Sequence, residues 1–248
     1  MLSKSTIKYI QSLQHKKLRD EDGVFVAEGP KLVKELLEGK IFRCKAMYAL
    51  ESWLKIKNDL DALIGEEQLF SINEIELEKI SQLSKPNAVV AVFEKKIVHT
   101  QFSLNNHITL VLDDIQDPGN LGTIIRIADW FGVKNMVCSK HTADMYNSKV
   151  VQSTMASLQN VNLFYTDLLP WVKNNHTIPV LVATLGGKNM KDIEHYKEAI
   201  LIIGNESKGV SDELLKMATV AITIPRMGAA ESLNAAVATG IILYELTK

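Results

Sequence analysis

Three short stretches of the chain bring together side chains able to act on a polar substrate. "QDPGNLG" places Asn120 among Pro118, Gly119 and Gly122, and Arg126 follows closely. "GNESKG" sets Glu206 between Gly204 and Gly209, and "RMGAAESLN" carries Arg226, Ser232 and Asn234. Carboxamides, a carboxylate, a hydroxyl and guanidinium groups can orient a hydroxyl- or phosphate-bearing substrate and stabilise charge that develops on it. Covalent and metal chemistry lack their usual signs. No serine sits in GxSxG, Ser232 has no histidine near it in sequence and reads as a helix N-cap, and the six histidines form no metal-ligand cluster. Without GxGxxG after the first strand, and without GxxxxGK[ST], dinucleotide and P-loop readings lose their phosphate cradle. Taken singly, each loop has an ordinary explanation, because Gly and Asn form turns and loop carboxylates are usually solvated. Three such loops at strand ends in one domain argue for a site.

The elements that position these loops can be read from periodicity. Residues 108–248 alternate β-branched runs with helical patterns: "ITLVLDDI", then the helix "GTIIRIADWFG" with Arg126 one turn in, "NMVCS", "SKVVQSTMASL", "TDLLPWVKN", "IPVLVAT", "AILIIG", "SDELLKMA" with Ser211 as N-cap, "VAITIP" and a closing helix. Such alternation predicts an α/β fold with a largely parallel sheet covered on both faces. The closing helix is apolar nearly all round, which requires burial on more than one side. Upstream, residues 1–95 read as a smaller α/β domain: a helix over residues 3–19, a strand "VFVAEG", a helix "PKLVKELLEG" begun by Pro30, a strand Cys44–Leu50, helices near residues 52–63 and 73–83, and a strand "AVVAVFE". Residues 96–107 carry no period and read as a linker.

The totals describe an ordinary globular protein. The chain has 248 residues, 46% hydrophobic and 23% charged, with 28 basic against 29 acidic side chains and a net charge of −1. No global positive field announces nucleic acid. However, Lys4, Lys8, Lys16, Lys17 and Arg19 all precede the first acid, Asp20, either as a solvated helix face or as a local phosphate-binding stripe. Cys44 and Cys138 stand far apart with no CxxC, which suits a reducing, cytoplasmic setting and indicates neither zinc nor a disulfide framework. The N-terminus lacks a signal-peptide core and no apolar run is long enough to span a bilayer, so no membrane partner is expected.

The three loops together resemble the SpoU, or TrmH, family of RNA ribose 2′-O-methyltransferases of the SPOUT superfamily. The resemblance lies in "DDIQDPGNLGTIIRIADWFG", "LIIGNESKGVSDELL" and "IPRMGAAESLNAAVATGIILYE", in order and spacing, and covers residues 108–248. "RDEDGVFVAEGPKLVKELL" is similar to a substrate-binding domain that many members carry, with the fold of certain ribosomal RNA-binding proteins. The resemblance implies a deep trefoil knot in the C-terminal domain, S-adenosyl-L-methionine as cofactor, and a homodimer in which the closing helix meets a second subunit. It places Gly204, Ile224 and Leu233 against the cofactor, with Thr184, Leu185 and Gly186 as another wall. Asn120, Arg126, Glu206, Ser232 and Asn234 match the family's catalytic set, and RNA contacts fall to Lys16, Lys17, Arg19 and Arg226.

Neutralising an arginine near neutral pH costs roughly 7 kcal/mol or more. Arg126 is therefore expected to clamp the target phosphate and stabilise the developing alkoxide, with the proton lost to water or a transient acceptor. Departures from the family pattern fall outside the proposed catalytic set: Arg226 where many relatives read Ile-Pro-Met, "SLNAAVA" for "SLNVSVA", and Gln152 and Ala156 where Arg and Gly are frequent. Ribosomal RNA is favoured over transfer RNA because of the separate N-terminal domain. The competing readings are a non-catalytic RNA-binding or assembly protein of the same fold, which would bind RNA without methyl transfer, and a nucleotide-linked oxidoreductase, which lacks its fingerprint.

Overall fold

The structure, a computed structural model, describes residues 1–55 and 63–248. Along the chain run α1 (Lys4–Ser12), α2 (Lys16–Asp22), β1 (Val24–Glu28), α3 (Pro30–Gly39), β2 (Cys44–Leu50), α4 (Glu51–Leu54), β3 (Leu69–Ile72), α5 (Glu74–Ile80), β4 (Val89–Glu94), β5 (Ile108–Asp113) and α6 (Pro118–Trp130). There follow β6 (Asn135–Ser139), α7 (Ser148–Thr154), β7 (Asn162–Thr166), α8 (Leu168–Asn174), β8 (Val180–Asn189), β9 (Ala199–Gly204), α9 (Asp212–Leu215), β10 (Val220–Thr223) and α10 (Ala235–Leu246). Packing gathers them into two compact units, Met1–Ile97 with Tyr146–Gln159, and Val98–Met145 with Asn160–Lys248.

In the first unit the described residues form a mixed sheet in the order β1-β4-β2-β3, with β4 antiparallel to both neighbours and β3 parallel to β2. Ile10 and Leu13 at the end of α1, with Leu77 and Ile80 of α5, pack on Val24, Val26, Tyr48, Val90 and Val92. Residues 3–19, expected as one helix, form α1 and the start of α2. Ser3 caps α1 by accepting from Thr6 N at 3.0 Å, and Gly23 closes α2 at φ 65. Arg19 stabilises the break: its Nη1 donates to the carbonyls of Leu13 (2.8 Å) and Gln14 (2.7 Å), which lie beyond the regular ladder of α1. Strand β3 had no counterpart in the sequence reading, because "LFSI" is too short to establish alternation. Helix α5 opens on a capping box, with Asn73 Oδ1 accepting from Glu76 N and Glu76 Oε2 accepting from Asn73 N. Of the helix expected near residues 52–63, α4 covers the start, and residues 56–62 lie outside the described residues.

Residues 146–159 belong to this unit through specific contacts. The Tyr146 ring lies 4.9 Å from that of Phe25, Gln152 Nε2 donates to Glu28 O (2.7 Å), and Lys96 Nζ donates to Leu158 O (2.7 Å). Gln152, where the family resemblance leads one to expect Arg, is thus engaged with the β1 backbone. Met155 and Ala156 adopt left-handed φ values of 47 and 67. Each costs a non-glycine residue about 1–2 kcal/mol, so the glycine that the family resemblance leads one to expect at 156 would relieve strain there.

The second unit carries a wholly parallel sheet in the order β10-β8-β9-β5-β6-β7. Its central strands are continuous apolar runs: Leu110, Val111 and Leu112 in β5 and Ile200, Leu201 and Ile202 in β9 are fully buried, as strands covered on both faces must be. Leu168 and Val172 of α8 and Leu214 of α9 pack with Val111, Val137, Val182 and Ile202 in one core cluster, and α6 packs with α10. Strand β7 escaped the sequence reading because its half-buried edge position produces no continuous apolar run. Because the strands are parallel, the loops leaving β5, β9 and β10 emerge at one edge of the sheet.

Candidate active site

Asp117 begins the site. It N-caps α6 by accepting from Asn120 N at 2.8 Å, and Pro118 supplies the fixed φ of the first helical residue. The helix therefore starts four residues earlier than Gly122, where the sequence pattern put it, and Arg126 sits in its third turn. Asn120 is held at the helix mouth.

Its carboxamide joins two other loops. Asn120 Nδ2 donates to Glu206 Oε1 at 2.5 Å, and Asn120 Oδ1 accepts from Asn234 Nδ2 at 2.8 Å. Asn234 in turn caps α10, its Oδ1 accepting from Ala236 N (3.0 Å) and Val237 N (3.3 Å). The amide orientations follow by elimination. Backbone N–H groups only donate, so Asn234 must turn its oxygen to the helix and its nitrogen to Asn120. Asn120 then presents its own nitrogen to Glu206, an arrangement that suits a carboxylate. The expected N-cap, Ser232, is exposed in the preceding loop, and Asn234 takes that role.

Glu206 is the tip of a tight loop. Asn205 and Gly209 exchange backbone hydrogen bonds at 3.1 and 2.9 Å, and a Cβ on Gly204 would run into the backbone of Gly209 and Val210. That close approach is why glycine is required at 204. The Asn205 side chain, absent from the sequence-predicted set, accepts from Ser207 N (2.9 Å) and Lys208 N (3.2 Å) and donates to Asp114 O (2.8 Å). Asp114 adopts a left-handed φ of 56 and is fixed by Ser139, whose Oγ accepts from Asp114 N (3.0 Å) and donates to Asp114 Oδ1 (2.5 Å). The available signal was local: an Asn before the functional acid in a glycine-bounded turn is Asx-turn chemistry.

Strand β8 carries the next group of predicted residues. Its Leu181 and Val182 pair with Val220 and Ala221, after which the register jumps so that Lys188 and Asn189 pair with Ile222 and Thr223. Thr184, Leu185 and Gly186 fall in the skipped stretch, where Leu185 O accepts from Thr223 Oγ1 at 3.3 Å. Leu185 is 73% exposed and Met227 97%, Leu233 is exposed, and a Cβ at Gly186 or Gly228 would meet nothing within 4 Å. Ile224, half-buried, follows β10 directly. Exposed apolar side chains beside open backbone are suited to a ligand with an apolar ring and hydrogen-bonding edges.

Not every predicted residue joins the cluster. Arg126 is exposed and makes no side-chain hydrogen bond or ion pair among the described residues. Arg226 is exposed, with Nη1 donating to Ala230 O at 3.3 Å. In the first unit, Lys16 and Lys17 are exposed and pair with Asp20 (3.0 Å) and Glu21 (3.8 Å). Arg19 is placed otherwise. At 3% exposure, with its guanidinium turned to the Leu13 and Gln14 carbonyls, it supports the α1–α2 turn instead of presenting charge to a phosphate. Among the described residues no group of three His, Cys, Asp or Glu is arranged to hold a metal ion, and no helix is long and apolar enough to cross a membrane.

Comparison with known proteins places this geometry. Residues 107–244, more than half the chain, match the SpoU rRNA Methylase family, and residues 4–91 match the MRM3-like substrate binding domain. The 23S rRNA (guanosine(2553)-2′-O)-methyltransferase RlmP of Bacillus subtilis is 31% identical, over 97% of this chain and 95% of its own. The 23S rRNA (uridine(2479)-2′-O)-methyltransferase of Streptomyces viridochromogenes is 30% identical, over 80% of this chain and 72% of its own. Among solved structures, the AdoMet-bound rRNA methyltransferase from Sinorhizobium meliloti superposes with a TM-score of 0.84 at 30% identity, covering 99% of this chain and 95% of that one. With its three polar loops gathered at one edge of a parallel sheet, the chain belongs to the SpoU rRNA methylase family of RNA methyltransferases.

Proposed function

We propose that this protein transfers the methyl group of S-adenosylmethionine to a ribose 2′-hydroxyl of RNA, with ribosomal RNA as the favoured substrate and transfer RNA as the alternative. The observation that carries the reading is the hydrogen-bonded chain Glu206–Asn120–Asn234, which fixes three loops at one sheet edge. Leu185, Met227 and Leu233 offer the cofactor exposed apolar side chains, and Gly186 offers unobstructed backbone. Thr184, Leu185, Gly186, Gly204, Ile224 and Leu233 would hold it there. When bound, S-adenosylmethionine supplies a methyl group made electrophilic by its sulfonium.

The residues of the chain then have to orient a hydroxyl in line with that group and manage one proton. Arg126, exposed and without a side-chain hydrogen bond or ion pair among the described residues, is disposed to clamp a phosphate through its forked donors and to stabilise an alkoxide as it forms. Asn120 and Asn234 keep the Glu206 carboxylate directed, and Ser232 lies in the same loop as Asn234. The proton passes to water or to a transient acceptor.

Residues 1–95 serve as the RNA-binding domain, 96–107 as a linker and 108–248 as the methyltransferase domain, whose C-terminal segment is knotted. Supporting the knot, β9 is inserted between β8 and β5, and β10 returns to pair with β8. The protein works as a cytoplasmic homodimer. Supporting this, α10 leaves Val237, Ile241 and Tyr244 exposed, Tyr244 by 55%, one helical stripe beyond its buried face.

The test is methyl transfer from labelled S-adenosylmethionine to RNA lacking the modification, followed by mapping of the label. Wild-type protein should label a ribose and Arg126→Ala should not. Absence of label despite tight RNA and cofactor binding would favour a binding or assembly role. Arg126→Lys should weaken RNA binding and fail to restore turnover; near-normal turnover with unchanged RNA affinity would make the arginine a base.

A further inference from the structure

Beside the bond from Ser211 N to Asp113 Oδ2 (2.8 Å), two side-chain hydrogen bonds tie the loop carrying Glu206 to the segment after β5, and the two differ in kind. Glu206 Oε1 accepts from Asn120 Nδ2 across 86 residues of sequence, at 2.5 Å. Asn205 Nδ2 donates to Asp114 O across 91 residues, at 2.8 Å. The second bond is not needed to close the turn, which the backbone pair between Asn205 and Gly209 already does. It is also not a surface contact, because both Asn205 and Asp114 are half-buried. With Gly204 paired to Asp113 at one end of the turn and Ser211 N bonded to Asp113 Oδ2 at the other, it adds a tie from within the turn to the loop that leads into α6. Meanwhile Asn205 Oδ1 accepts from Ser207 N (2.9 Å) and Lys208 N (3.2 Å), so the two peptides that follow Glu206 are held by the same side chain. The anchor point is itself braced: Ser139 Oγ contacts both the N–H and the carboxylate of Asp114, and Thr142 Oγ1 lies 3.0 Å from Ser139 Oγ.

We infer that Asn205 is a positioning residue for methyl transfer, acting through Glu206. Its nitrogen sets the turn against Asp114 and its oxygen sets the Glu206 backbone, so that the carboxylate meets the Asn120 amide. The inference rests on the methyl-transfer reading, and it assigns work to a side chain distinct from those that face the substrate. A carboxamide is the group that suits the place. An aspartate of the same shape keeps the acceptors for Ser207 and Lys208, but it puts an oxygen against the Asp114 carbonyl, where a donor is required.

The experiment compares Asn205→Asp with wild type, each also in a Glu206→Gln background. The side-chain amide resonance of Asn120 is followed in the ligand-free protein. Displacing a group that must meet a reacting atom lowers kcat rather than raising KM, so Asn205→Asp should reduce kcat by about tenfold or more with little change in KM for RNA or cofactor. In the Glu206→Gln background the same change should add little, because residues that act as a unit are not additive. The Asn120 amide signal should move in Asn205→Asp. Unchanged kcat, or an equal loss in both backgrounds, overturns the inference and leaves Asn205 as a turn former. Should Asn205→Asp unfold, Asn205→Ser keeps a turn acceptor and loses the reach to Asp114, with the same expectations. If wild-type protein methylates no ribose, the methyl-transfer reading falls, and the Asn120 signal still reports whether Asn205 holds Glu206 in place.

Discussion

The two units place their polar groups under opposite constraints. In the second unit Glu206 and Asn234 lie 86 and 114 residues from Asn120, and both are locked to it by direct hydrogen bonds. In the first unit Lys16 and Lys17 are exposed and pair with acids one helical turn away. The difference teaches what each surface is for. A group that must meet one atom of a substrate has to be fixed in advance, whereas neutralising a phosphate backbone requires only charge at the right surface. Arg19 shows that the boundary between the two styles is not drawn by residue type. It closes the basic run, directly before Asp20, yet it is buried and bonded to two carbonyls.

The contrast can be broken most severely at Asn234. Asn234→Ala removes both the cap of α10 and the donor to Asn120, and should lower kcat by on the order of a hundredfold, measured as single-turnover methyl transfer. A loss confined to KM would mean that the hydrogen-bonded chain is not preorganisation. Next in size is Arg19→Met, which leaves the Leu13 and Gln14 carbonyls without their donor. Thermal melting should show the first unit destabilised by about 2 kcal/mol. The dependence of RNA affinity on salt should stay as it was, and a shallower slope would return Arg19 to the RNA contacts.

The smallest effect is expected for the exposed pair. Lys16→Glu with Lys17→Glu should weaken RNA binding several-fold at low salt and flatten the salt dependence while leaving kcat and melting temperature nearly unchanged. Unaltered affinity would remove the stripe from the RNA surface.

Much of the second unit was legible because its strands are buried on both faces. Such strands must be continuous apolar runs, and the helices between them must be amphipathic or wholly apolar. The same logic failed at β7, an edge strand, and at β3, a strand of four residues, where burial leaves too short a trace. It also misplaced the start of α6. Asp117 and Pro118 form a cap that precedes the first apolar turn, and hydrophobic periodicity cannot register it.

By itself the sequence determined the chemistry of the site: a carboxylate, two carboxamides, a hydroxyl and Arg226 in glycine-bearing stretches that follow strands, with Arg126 on the helix after the first of them. Those are properties of residue type and local backbone, written within a few positions of one another. Only the tertiary structure decided which of them touch, that Asn234 and not Ser232 caps α10, that Asn205 ties the Glu206 turn to Asp114, and that Arg19 turns inward. The physical reason is that each of these outcomes depends on a donor meeting an acceptor supplied by another segment. A hydrogen bond is decided by distance and direction in space, and neither is set by the spacing of residues along the chain.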